Sequence, residues 1–184
     1  MDLEEAQRLL ASSVQRRSKW RGKARQDFEF YNGEQWAIED KRLMEEAMRP
    51  LVTFNTISPI VDAITGHEIS NRQEVSYLPR QAGAAGVNEV LTAAAEWVRE
   101  ECDAEQEESN AFQDMAICGE GWTSTEIEYE VDLDGKIVIP HIDPLEMDVD
   151  TNSVQKNYAD AKWVSRSRVY EKKEAQRLWP DTDI

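Results

Sequence analysis

Residues 122–142 carry the pattern that most restricts what this chain can fold into. Along 122–131, Trp122, Ser124, Glu126, Glu128 and Glu130 fall on one side, and Thr123, Thr125, Ile127, Tyr129 and Val131 on the other. Residues 136–142 alternate in the same way, and Asp132-Leu133-Asp134-Gly135 lies between the two runs. A period of two on both sides of an Asp-Gly turn predicts an antiparallel β-hairpin. Glu130, Asp132, Asp134 and Gly135 also mimic positions 1, 3, 5 and 6 of a calcium-binding EF-hand loop. The match fails at position 12, which is His141 where a bidentate Glu is required, and strands stand in place of the flanking helices.

The second organising stretch is RPLVTFNTISPIVDAITGHEISNR, residues 49–72. Ile57, Ile60, Val61 and Ile64 recur at helical spacing, Asn55 or Ser58 can cap the helix, and Pro59 is tolerated only in its first turn. A helix over about 55–70 is expected, ending at Gly66 or running on through Glu68 and Ile69. EVSYLP, residues 74–79, reads as a strand. PRQAGAAG, residues 79–86, reads as a flexible connector.

Residues 2–30 read as one long polar helix, a helical extension over about 1–30. Leu3, Ala6, Leu10, Val14, Arg17, Trp20 and Ala24 form a thin stripe, and the helix is acidic at Glu4 and Glu5 and basic from Arg16 to Arg25. Acid first and base last suits the helix dipole. The run RRSKWRGKAR is read as a solvated face rather than a nucleic-acid grip. FYNGEQW, residues 30–36, closes the helix with an Asn32-Gly33 turn bracketed by Phe30, Tyr31 and Trp36. A short charged helix or loop over 38–48 follows.

Residues 87–118 return to helix, as two helices or one kinked helix. Val87, Val90, Leu91, Ala94, Trp97 and Val98 give one apolar face, and Phe112, Met115 and Ala116 a second. The acidic REECDAEQEESN between them is expected on the outside, and Gly119 and Gly121 end the helix. Beyond the hairpin, Asp143-Pro144 opens a turn and Met147 and Val149 lie on a short strand. Residues 161–168 form a further strand, and residues 169–179 a helix with Ala175, Leu178 and Trp179 as its stripe. The fold class is therefore α+β in a single domain over 1–184.

The net charge of −16 is unevenly spread. Residues 51–130 carry three basic and sixteen acidic side chains. This argues against wrapping of a DNA duplex through that part, because phosphate contacts need Lys and Arg. No apolar run approaches the roughly 20 residues that span a bilayer, and Met1 is followed by acidic and polar residues rather than a secretory signal. Cys102 and Cys118 fit a reducing compartment, with a disulfide possible but unsupported.

No catalytic constellation emerges. There is no glycine-rich phosphate loop and no nucleophile elbow, and His67 and His141 sit in no metal-ligand spacing. His67 reads as a capping or interface residue. Asp143, Asp148 and Asp150 are the one set that could serve a metal-dependent hydrolase, although turn formation is the commoner use of such residues. An acidic DNA mimic using residues 96–108 is the other alternative. No catalytic, cofactor or metal residue is assigned, and no cofactor is expected.

In order along the chain, FYNGEQW, RPLVTFNTISPIVDAITGHEISNR, the acidic helical region, CGEGWTSTEIEYEVDLDGKIVIPHIDPLEMDVDTNS, DAKWVSRSRVY and KKEAQRLWPD resemble the N-terminal part of P22-like bacteriophage portal proteins. The resemblance covers about residues 28–180. It implies a non-enzymatic structural virion protein that forms a ring, usually a dodecamer, at one capsid vertex. The ring would dock the terminase and later the tail adaptors, meet coat or scaffold proteins, and pass DNA through its channel without tight binding. It implies assembly in the bacterial host cytoplasm, residence in the virion and no membrane partner. Because family members run longer, the chain is expected to be a wing- or core-like fragment lacking most of the stem, channel loop and crown. The acidic helices around 100–108 are expected to face solvent or a neighbouring subunit's basic N-terminal helix.

Overall fold

The computed structural model describes residues 2–72, 76–78, 85–129 and 133–180. Among them, helices α1 (Leu3–Tyr31), α2 (Ile38–Glu46), α3 (Ile57–Ser70), α4 (Ala85–Glu101), α5 (Ala104–Cys118) and α6 (Lys172–Leu178) combine with short antiparallel strand pairs. The class is mixed α+β, with the long N-terminal helix in place. The chain forms two compact units, Met1–Lys19 with Leu145–Ile184, and Trp20–Pro144.

The larger unit is built on α5, which packs against α3 and α4 and carries the first of two strand pairs, β1 with β4, on its flank. β1 (Trp122–Thr123) pairs with β4 (His141–Ile142), and β2 (Glu126–Glu128) with β3 (Lys136–Val138). Both pairs keep one register, since Thr123 faces His141 and, three residues on, Glu126 faces Val138. They are two stretches of the expected hairpin. The gap falls at Pro140, which has no N–H for the ladder; its carbonyl still accepts from the Ser124 N–H at 3.1 Å. At the tip Gly135 adopts φ 85°, as the Asp-Gly turn requires. Residues 130–132, with Glu130 and Asp132 of the EF-hand-like run, lie outside the described residues.

α3 starts where Asn55 places it. The Asn55 Oδ1 accepts the N–H groups of Ile57 and Ser58, and its Nδ2 donates to the Tyr31 carbonyl at 2.7 Å. One side chain thus starts α3 and ties it to the end of α1. Gly66 does not end the helix, which continues to Ser70. Tyr31 adds a second tie, donating to Asp62 Oδ1 at 2.8 Å and accepting from Gln113 at 2.9 Å. That bond to the Asp62 carboxylate holds the phenol above its ordinary pKa. Trp36, at the end of the FYNGEQW turn, donates to Thr53 in the segment that leads into α3 at 3.0 Å, which anchors that end of the turn.

The 87–118 region is two helices, broken at Asp103, which takes a left-handed conformation, and closed at Gly119 with φ 88°. Residues 76–78 form no strand. The rest of the expected 74–79 strand, and most of the 79–86 connector, lie outside the described residues, except that Ala85 and Gly86 open α4.

In the smaller unit, β5 (Met147–Val149) pairs with β6 (Val164–Arg166), following a single turn of 3₁₀ helix at Pro144–Glu146. All three β5 residues are buried. The buried side of α1 here is centred on Ser13 rather than Val14, which is half exposed. Ala6, Leu10 and Arg17 of the expected stripe remain half-buried beside Ser13, whose hydroxyl meets Asp148 Oδ1 and the Val149 carbonyl, both at 3.1 Å. Of the expected α6 stripe only Ala175 is buried; Trp179 instead meets Tyr170 edge to face at 5.5 Å.

Candidate functional site

The acidic middle of the chain folds into a cleft of about 1000 Å³ between α3, α4 and α5. Two arginines bridge its walls. Arg99 of α4 makes a two-pronged contact with Glu108 of α5 at 2.7 and 2.6 Å. This pairing holds the guanidinium further above its ordinary pKa. Arg72 lies between Glu68, at 3.5 Å, and Glu105, at 2.5 Å, and also donates to Ser109. Two parallel N–H···O bonds are the geometry that fixes a guanidinium against a carboxylate. Glu105 and Glu108 are thereby occupied within the chain, which breaks residues 96–108 as a continuous row of phosphate-like charges. Glu101 likewise meets Lys136 at 2.9 Å.

The orientation of α4 is the feature that sequence periodicity missed. Its half-buried residues include Asn88, Thr92, Ala95 and Arg99, at helical spacing, and Ala95 and Arg99 line the cleft. Most of its apolar stripe points the other way: Val87, Val90 and Trp97 are 63, 68 and 64% exposed, Leu91 and Ala94 are exposed beside them, and of the expected face Val98 is half-buried. A hydrophobic period reveals that a stripe exists but not what covers it. A second apolar hollow, of about 660 Å³, lies between α3 and α5 and includes Ile60, Ala63, Ile64 and Phe112.

Two of the three carboxylates proposed for a metal are used otherwise. Asp148 is fully buried and accepts from Ser13. Asp150 turns the chain, accepting the N–H groups of Asn152 at 2.9 Å and Lys162 at 3.3 Å. The Asn152 N–H, first among these contacts, holds its carboxyl below the usual range. Asp143 belongs to the other unit. Among the described residues no group of three or more His, Cys, Asp or Glu is placed to hold a metal ion.

His141 holds the hairpin to α5. Its backbone N–H donates to Glu107 at 2.9 Å and its Nε2 lies 2.6 Å from Asp114 Oδ2. Burial pushes the Asp114 carboxyl above its usual value, with the His141 contact opposing. His67 is exposed, and its carbonyl accepts from the Asn71 side chain at the end of α3. Cys102 and Cys118 are free thiols. No helix among the described residues is long and apolar enough to cross a membrane.

A family model described as phage P22-like portal protein matches residues 7–184. No curated protein matches the chain.

Proposed function

The chain belongs to the family of phage P22-like portal proteins, and on that premise we propose that it is a wall subunit of the ring through which genome DNA enters and leaves the capsid. Membership makes it a structural protein of the phage capsid vertex, in a family of ring-forming proteins with capsid and packaging partners. The finer reading is ours. The ring is a dodecamer; it docks the terminase during packaging and the tail adaptors afterwards, and is built in the host cytoplasm. The chain contributes a wing-like body with α1 as its helical extension, and it does no chemistry of its own.

One observation supports the ring reading above the others. The apolar stripe of α4 faces away from the body that α4 packs on, leaving Val87, Val90 and Trp97 in water in a lone chain. An exposed apolar patch on a folded protein marks an interaction surface, and a ring subunit needs such a surface for its neighbours.

The charge pattern supports a channel that lets DNA slide. Residues 51–130 have three basic side chains, and both described ones, Arg72 and Arg99, are held by carboxylates. Tight binding to duplex would need several free cations to displace counterions. Titrating a labelled duplex at about 0.15 M salt should therefore give binding no tighter than the non-specific range of about 10⁻⁴–10⁻⁶ M. Nanomolar binding with a steep salt dependence would contradict a sliding channel.

A further inference from the structure

We propose that the outward stripe of α4 is the seat for the basic face of helix α1 from a second copy of this chain. The inference rests on the ring reading and names the surfaces that would make the ring. Val87, Val90, Ala94 and Trp97 follow one another at spacings of three, four and three residues, which is the seam that receives another helix. Trp97 is the large anchor within it. Along one edge the stripe is bordered by Glu89, Glu96 and Glu100, all exposed, with Glu96 and Glu100 standing between the stripe and the rim of the cleft. The charged edge sets what can approach: a second α4 would bring carboxylates against carboxylates, so a symmetric contact of this face with itself is disfavoured.

The partner must therefore offer a helix that is basic and shallow. Over residues 8–25, α1 carries seven basic side chains and no acidic one. Its exposed side presents Ala11, Ser18 and Gly22, bordered by Arg16, Lys19 and Lys23. A Cβ added at Gly22 would meet nothing within 4 Å, so the track is open. Small residues let another helix's apolar side chains come close. The lysines and arginine then meet the α4 glutamates and set the register. Exposed ion pairs contribute little individually, so the apolar stripe supplies the adhesion and the charges supply the choice of partner. Because α4 and α1 are different surfaces, the contact is head to tail. It closes into a ring when the rotation per copy divides the circle.

The test is native mass spectrometry of the full chain over a concentration series, with reversals on each face. Glu89→Lys/Glu96→Lys/Glu100→Lys on α4, or Arg16→Glu/Lys19→Glu/Lys23→Glu on α1, should each raise the concentration for half assembly at least about tenfold. Carrying both sets in one chain should restore assembly, as expected of groups that meet. Gly22→Leu should also weaken assembly, and since leucine is the better helix former its monomer should keep the helical circular dichroism of the original. Reversals that assemble like the original chain, or a combined variant that stays apart, would overturn the proposal. So would an α1 reversal that leaves assembly intact and only weakens binding to a short DNA duplex. An original chain that never assembles would sink the ring reading itself, and the proposal with it.

Discussion

Gly121→Ala is expected to destabilise the protein by about 3–5 kcal/mol, the upper range for a single substitution. A Cβ at this position would sit 1.9 Å from the Ala111 carbonyl oxygen, 2.7 Å from its carbon and 3.3 Å from Met115 Cβ. The first two are backbone atoms of α5, so no side chain can swing away. The chain leaves α5 at Gly119 and folds back along that helix to begin β1, and both β1 and β4 rest on α5. Making room for one methyl group would push the hairpin off its support. Gly119→Ala is the comparison. Gly119 has φ 88° but nothing within 4 Å of its added Cβ, so only backbone strain of about 1–2 kcal/mol applies. Urea unfolding followed by circular dichroism should rank Gly121→Ala well below Gly119→Ala, and equal midpoints would contradict the close approach.

Ser13→Ala is expected to cost about 1–3 kcal/mol, the penalty for a buried polar group that loses its partner. Ser13 and Asp148 are both 0% exposed, and the hydroxyl proton is shared between the Asp148 carboxylate and the Val149 carbonyl. Removing it takes a donor from a buried carboxylate where water does not replace it. Ser18→Ala is the control: Ser18 is exposed, and its hydroxyl donates to the Gln15 carbonyl within the same helix. Alanine is the better helix former there, so that change should be neutral or slightly stabilising. Matching effects for the two variants would mean that Ser13 does not secure the smaller unit. Combining Ser13→Ala with Asp148→Asn should cost less than the two single changes added together, because both remove one interaction.

The local signals that proved legible were those written into neighbouring residues. The Asp-Gly hairpin, the Asn55 cap, the break inside 87–118 and the Gly119 stop depend on turn chemistry and short-range periodicity, and each appears where the residues put it. Long-range contacts decided the rest. Within an α1 stripe that otherwise keeps Ala6, Leu10, Arg17, Trp20 and Ala24 inward, the buried position is Ser13 rather than Val14, because its hydroxyl meets a carboxylate 135 positions away. Gly66 did not stop α3, because glycine ends a helix only when the following chain turns away, and here Asn71 closes it instead. Arg72 and Arg99 are two of only three basic residues in the acidic stretch 51–130, and their bridging of the cleft walls is not encoded in any local spacing. The apolar face of α4 was visible as a period, but its outward direction follows from which stripe α5 accepts, and no local pattern encodes that.

The most direct test of a ring-wall subunit is electron microscopy of the purified chain at the concentrations where native mass spectrometry detects assembly. Particles viewed down their axis should be closed rings of uniform subunit number with a central opening wide enough for duplex DNA. A population that remains single copies at every concentration, or that grows into open chains without closing, would contradict it.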